Sequence, residues 1–276
     1  MSDNAALCDR TMPDLGVSLQ SIDQYPADGQ PGFAAPVAFA AVLPGSVAAQ
    51  AGIERDDGLA SVDGKPISKR PGLESSPLRD SAFAAIADHD PAKPLELGVV
   101  HAGVAREVIV PAKPECRAVV EILDVDGDTA QSDGRTIQIA YGLAARATDD
   151  QIAVIFAHEL AHSILHHRER LEAANAANGL LGQFGRNRRL NLQAEEDADR
   201  LSVYLLANAG IDPRAAPDFW RSKFGQHISG GVFHNLAHPS AKARAAALEA
   251  EIATHIRPGQ ANYPAELLAT RTQPMK

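Results

Sequence analysis

The chain is 276 residues long, more than one typical hydrophobic core, and this predicts two domains. Its net charge of -9 argues against nucleic acid as a partner, because neutralising phosphates requires a basic face. The apolar run from Phe33 to Leu43 contains Pro36 and is too short to cross a bilayer, so no integral membrane segment is expected. Met1-Ser2-Asp3-Asn4 lacks the basic start of a secretory leader. The chain therefore reads either as cytoplasmic or as one whose leader has been removed.

After an amino-terminal segment, residues 1–14, the stretch Val42 to Ile53 followed by Asp57 to Ile67 reads as strand, short helix, strand, turn and strand. A helix over Pro77 to Asp88 and two strands, Leu95 to Val100 and Arg106 to Val110, complete the pattern. The arrangement over residues 15–114 resembles a bacterial PDZ domain. That resemblance implies a β-barrel or sandwich holding an extended peptide between a strand and a helix, for recruiting or gating substrate. It names no groove residue; the plainer reading is a small structural β-domain. Where such a domain usually has glycine before the aspartate, this chain has Asp56, so an altered turn is expected. His89 and His101 fall at loop or strand-edge positions and read as surface residues. Composition shifts at Pro111-Ala112-Lys113-Pro114, a linker pattern, and residues 115–276 form the second expected domain.

Asp124-Val125-Asp126-Gly127-Asp128 has calcium-loop spacing at its start, but Thr129 and Arg135 stand where glycine and glutamate are needed, so it reads as a turn. Arg135 to Ala140 alternates polar and apolar residues and reads as a strand able to accept an extended substrate beside it. Thr148-Asp149-Asp150-Gln151 is a capping-box sequence and predicts a helix starting near residue 149. Within that helix Ala153, Ala157, Leu160, Ala161 and Ile164 share an apolar face, with His158 and His162 beside it. Residues at i and i+4 lie one turn apart, so His158 and His162 can each offer one ring nitrogen to a single ion. Glu159, about 100° further round, is held next to the ion without ligating it, where it can take a proton from water. A five-residue match of this kind is a weak signal by itself, and a third ligand decides it.

The connection that follows is interrupted by Asn175, Asn178, Gly179, Gly182 and Gly185 and reads as a mobile lid or a loosely packed helical hairpin over the cleft; its basic cluster Arg186-Asn187-Arg188-Arg189 reads as solvated. Glu195-Glu196-Asp197-Ala198-Asp199 opens a second predicted helix, ended by Asn208-Ala209-Gly210. Glu195 can complete a His, His, Glu ligand set, and Asp199 is placed to orient a ligand histidine through its other ring nitrogen. An acidic first turn favoured by the helix dipole is the bland alternative, and it accounts for Glu196 and Asp197. A three-histidine zinc site is set aside, since Leu165 and Arg168 occupy its required positions; His166 and His167 read as solvated residues of the last turns. Neither a phosphate loop nor a serine nucleophile elbow is present.

Asp133-Gly134-Arg135-Thr136-Ile137-Gln138-Ile139, Gly142-Leu143, the histidine helix, the Glu195 to Asp199 helix and His238-Pro239-Ser240 with Arg244 together resemble the M-forty-eight family of gluzincin metallopeptidases. The resemblance covers residues 115 to 255. It implies an α+β chain whose second domain is a mainly helical zincin with a small β-sheet. It also implies zinc (Zn2+) held by His158, His162 and Glu195, Glu159 as the base, and His238 as a donor or switch over the metal. The substrates implied are polypeptides, misfolded or membrane-associated proteins included, and the role one in protein quality control. Thr129-Ala130-Gln131-Ser132 departs from the family's asparagine and aromatic pattern before the strand, which leaves substrate preference open. A rival reading is a PDZ-bearing chaperone or adaptor with a structural or occluded metal site. Cys8 and Cys116 either pair or stay as two thiols; the resemblance leans towards an extracytoplasmic, periplasmic protein and so towards pairing.

Overall fold

The computed structural model describes residues 1–69, 76–176, 185–231 and 240–275. The fold is α+β with open sheets, and the chain divides into two compact units, Met1–Arg117 and Ala118–Lys276. No described helix is long and apolar enough to cross a membrane.

The first unit contains β1 (Thr11–Pro13), β2 (Val17–Ser21), β3 (Val37–Val42), α1 (Val47–Gln50), β4 (Gly58–Val62), β5 (Lys65–Pro66), α2 (Pro77–Ala87), β6 (Leu95–His101), β7 (Val104–Val110) and β8 (Pro114–Cys116). Its main sheet is antiparallel in the order β2-β3-β4-β6-β7, with β5 paired to β4. On α2, Leu78, Ala82 and Ile86 recur every four residues and form the buried face, sharing one core with Val37, Phe39, Leu59 and Leu97. Each buried Leu, Ile or Phe of this kind contributes about 1.5–3 kcal/mol. The expected barrel or sandwich is not found: the sheet is open, with β2 and β7 as edges. The helix α2 packs against β1 to β4, and so covers the β2 end of the sheet instead of leaving it to a closing strand.

Asp56 has φ +69°, the left-handed conformation glycine adopts freely, so the aspartate takes the backbone that glycine would have at a steric cost. His89 is half-buried, its side chain 9% exposed, with Nδ1 2.7 Å from Asp63 Oδ2 and Nε2 3.0 Å from the Lys93 carbonyl. His101 is more open and bonds Asp57 Oδ1 through Nδ1 at 2.6 Å.

The amino-terminal segment is stitched to the end of the unit. Strands β1 and β8 pair antiparallel, Thr11 opposite Cys116, and Cys8 is disulfide-bonded to Cys116 with their Cα atoms 5.5 Å apart. Backbone bonds from Asp14 N–H to the Lys113 carbonyl (2.7 Å) and from Arg117 N–H to the Arg10 carbonyl (2.9 Å) extend the seam.

The second unit contains β9 (Val119–Leu123), β10 (Ala130–Ser132), β11 (Thr136–Ala140), α3 (Tyr141–Arg146), α4 (Asp149–Ile164), α5 (His167–Ala173), α6 (Gly185–Asn208), α7 (Ala215–Arg221), α8 (Lys223–Gly231), α9 (Ala241–His255) and α10 (Ala265–Ala269). In its sheet β11 is central, parallel to β9 and antiparallel to β10. Both edges of β11 are therefore occupied, and the expectation that this strand receives a substrate strand is corrected. The helix α4 packs against β10, β11 and α6. Buried alanines, Ala157 and Ala161 on α4 and Ala194 and Ala198 on α6, keep both helix surfaces low and permit close approach.

Helix α6 begins at Gly185, ten residues before the expected start, so Glu195 and Asp199 lie mid-helix and the helix-dipole account of the acidic run fails. Arg186 to Arg189 form its first turns and are not a loop. Of the expected lid, residues 177–184 lie outside the described residues. The calcium-like turn is engaged otherwise: Asp128 pairs with Arg146 and lies 3.2 Å from His227 Nε2.

The disulfide closes a loop of 108 residues. Reducing it, or replacing Cys8 and Cys116 by serine, is expected to destabilise the first unit by about 2–5 kcal/mol in urea denaturation. An unchanged unfolding midpoint with and without reductant contradicts this.

Candidate metal centre

The position of the two histidines is set at the start of α4. Thr148 Oγ1 accepts from Gln151 N–H at 3.3 Å and Gln151 Oε1 accepts from Thr148 N–H at 3.0 Å, closing the capping box the sequence predicts. Asp149 and Asp150 in the first turn favour the same start through the helix dipole. Three turns on, His158 Nε2 and His162 Nε2 face each other at 3.1 Å.

Glu195 reaches this pair from α6. Its Oε2 is 3.2 Å from His158 Nε2 and its Oε1 is 3.5 Å from His162 Nε2. Among the described residues, His158, His162 and Glu195 form the group able to hold a metal ion. The donor set fits a tetrahedral divalent ion: ligand bonds of about 2.0–2.1 Å at tetrahedral angles separate neighbouring donors by about 3.3 Å. Two neutral nitrogens and one carboxylate are also the donor chemistry such an ion prefers.

A line of buried charge stands behind the ligands. Asp199, one helical turn after Glu195, places Oδ1 3.1 Å from His158 Nδ1. Arg244 of α9 donates to Asp199 twice, Nε to Oδ2 and Nη2 to Oδ1, both at 2.6 Å, and its Cζ stacks 3.5 Å from the centre of the Trp220 ring on α7. Arg244 is 2% exposed and Asp199 7% exposed, so neither charge can turn to water for compensation. Arg244 Nη2 also lies 4.0 Å from Glu195 Oε2, extending its field to the ligand carboxylate.

These neighbours set the protonation states. Burial would lift the Asp199 carboxyl, but Arg244 and His158 hold it below the usual carboxylate range. Burial pushes the His158 imidazole down, yet the hydrogen bonds and charges of Asp199 and Glu195 prevail and raise it to about 10. His162 is lowered to about 4 by burial, with the charge of His158 adding to it. The cluster thus draws positive charge to His158, and a cation bound by the three ligands displaces that proton. Burial raises Glu159 to about 7, while the charge of His158 and the backbone N–H of Ser132 oppose the rise. A carboxyl group poised there suits proton transfer near neutral pH.

Strand β10 lies alongside: Ser132 Oγ and Ser163 Oγ are 2.7 Å apart, tying it to α4. A cleft of about 250 Å³ opens on this side, lined by Ser132, Gly134, His162, His167 and Leu171 among others.

Of the residues expected from sequence, His158, His162, Glu195, Asp199 and Glu159 converge; His238 lies outside the described residues. The reading of His167 as solvated is corrected: it is 1% exposed, and its Nδ1 meets His162 Nδ1 at 2.9 Å. His166 is half-buried, near Glu169 at 3.9 Å. Sequence reasoning also missed the work of Arg244 and Trp220. An arginine four residues past the Ser240 cap of α9 was the available signal, but nothing in the sequence named its partner.

No protein-family model matches this chain, and no curated protein matches it. The geometry alone yields a test: Arg244→Met leaves Asp199 buried without its cation and is expected to cost about 3–5 kcal/mol in chemical denaturation. A loss under about 1 kcal/mol, the level of a surface pair, contradicts the buried-pair account.

Proposed function

We propose that the second unit is a zinc-dependent endopeptidase of the M-forty-eight gluzincin type and that the first is a PDZ-like domain that recruits or gates polypeptide substrates. The observation that carries the reading is the convergence of His158, His162 and Glu195 with a buried, near-neutral Glu159 beside them. Zinc held by the three ligands supplies the Lewis acidity that makes water nucleophilic near neutral pH.

The chain's own residues do the rest. Glu159 takes a proton from the attacking water and delivers it to the nitrogen of the departing amine. Asp199 keeps the His158 ring oriented through Nδ1, with Arg244 holding the aspartate ionised. His238 is proposed as a further donor to the developing oxyanion. Because β11 has no open edge, the extended substrate is assigned to the short edge strand β10, tied to α4 next to Glu159. In the first unit, an extended peptide is proposed to bind by strand addition at the edge strand β2. The Cys8–Cys116 disulfide supports an oxidising, extracytoplasmic setting.

Casein digestion with and without chelator, run beside metal analysis, tests the proposal. Glu159→Gln is expected to retain zinc and lose about 10²–10⁴-fold in cleavage rate. Because the base must be ionised, activity falls as pH drops through the pKa of Glu159. That value is about 7 without the ion, and a cation beside the carboxylate pulls it down, so the acid limb lies at or below about pH 7. Undiminished cleavage by Glu159→Gln contradicts the assignment. Full zinc occupancy without chelator-sensitive cleavage favours the adaptor reading.

A further inference from the structure

We propose that His167 is a positioning residue of the metal site, holding His162 in the tautomer that presents Nε2 to the ion. The proposal rests on the metallopeptidase reading.

In an unbroken helix the residue one turn beyond His162 would be His166. The chain instead enters the left-handed region at His166, φ +53° and ψ +35°, so α4 ends at Ile164 and α5 starts at His167. This break swings His167, not His166, back against His162. The two Nδ1 atoms are 2.9 Å apart and the ring planes are 74° apart.

His162 turns its other nitrogen, Nε2, towards His158 Nε2 and Glu195 Oε1. A neutral imidazole whose Nε2 lone pair is reserved for a ligand carries its proton on Nδ1. That Nδ1–H donates to His167 Nδ1, which acts as acceptor. The acceptor is rigidly held. His167 is 1% exposed, and Arg170 one turn later donates from Nη1 to the Leu165 carbonyl at 3.3 Å and from Nε to the Gln273 carbonyl at 3.0 Å. Met275 clusters with Leu190 and Ala194, and Leu171 of α5 packs against the same cluster. The carboxy-terminal stretch therefore fixes α5, and α5 fixes the ring that orients His162. His158 has a carboxylate, Asp199, in the corresponding place; His162 has an imidazole.

Two variants test this. His167→Phe keeps a ring but removes the acceptor; His167→Asn sets a carbonyl oxygen near the position of Nδ1. For wild type and both variants, the zinc dissociation constant is measured by competition with a chromophoric chelator. The visible spectrum of the Co2+-loaded protein and the unfolding of the metal-free protein are recorded alongside. The expected result is zinc binding weakened about 10–100-fold in His167→Phe, with a changed Co2+ spectrum. His167→Asn recovers most of both. Equal zinc affinity in His167→Phe and wild type overturns the proposal. So does an Asn variant as weak as Phe with the same loss of metal-free stability, which is the mark of packing alone. A wild-type protein that takes up no stoichiometric zinc overturns the metallopeptidase reading, and this inference with it.

Discussion

The bidentate pair between Arg244 and Asp199 is the interaction on which the second unit depends. Three helices meet through it: α6 supplies the aspartate, α9 the arginine and α7 the indole on which the guanidinium stacks. A buried guanidinium and a buried carboxylate are each costly alone and tolerable together only in good geometry. Helix positions that disturb that geometry are therefore selected against energetically. Because Glu195 sits one turn before Asp199, fixing the aspartate also fixes this candidate ligand relative to His158 and His162. The same contact that holds the helices in register thus arranges the candidate metal site, so the fold's stability and the proposed function draw on one set of atoms.

The electrostatics follow from that arrangement. An arginine buried behind an aspartate behind a histidine gives alternating charge running to the site, with Glu195 closing it. Glu159 is buried, and that burial raises its pKa against the opposing charge of His158. Two carboxylates one turn or less from the ligands, Asp199 and Glu159, are thereby driven in opposite directions, the first fixed as an anion and the second able to exchange a proton.

Local rules were legible in the sequence and long-range pairings were not. The start of helix α4 could be placed near residue 149 because its capping box precedes one periodic segment, but its end at Ile164 could not. Helix α2 and the strands β6 and β7 were legible for the same reason, a pattern bounded by turn residues. The start of α6 was hidden because Arg186 to Leu192 is polar nearly all round and follows a glycine-rich run, so no apolar periodicity marks its first turns. His167 was misjudged because a left-handed residue that is not glycine, His166, leaves no trace in sequence, and regular periodicity projects the wrong histidine onto His162. Arg244 and Asp199 are 45 residues apart, and a charged residue on a helix does not announce its partner. The central place of β11 and the open form of the first sheet depend on which short strands pair, a property of the whole unit and not of any one strand.

Zinc content of the purified full chain tests the account's central claim most directly. The account predicts one tightly held zinc ion per chain in the wild type, lost in Glu195→Ala while the metal-free fold persists by circular dichroism. A wild-type chain that binds no zinc, or a Glu195→Ala chain that keeps its zinc, would contradict it.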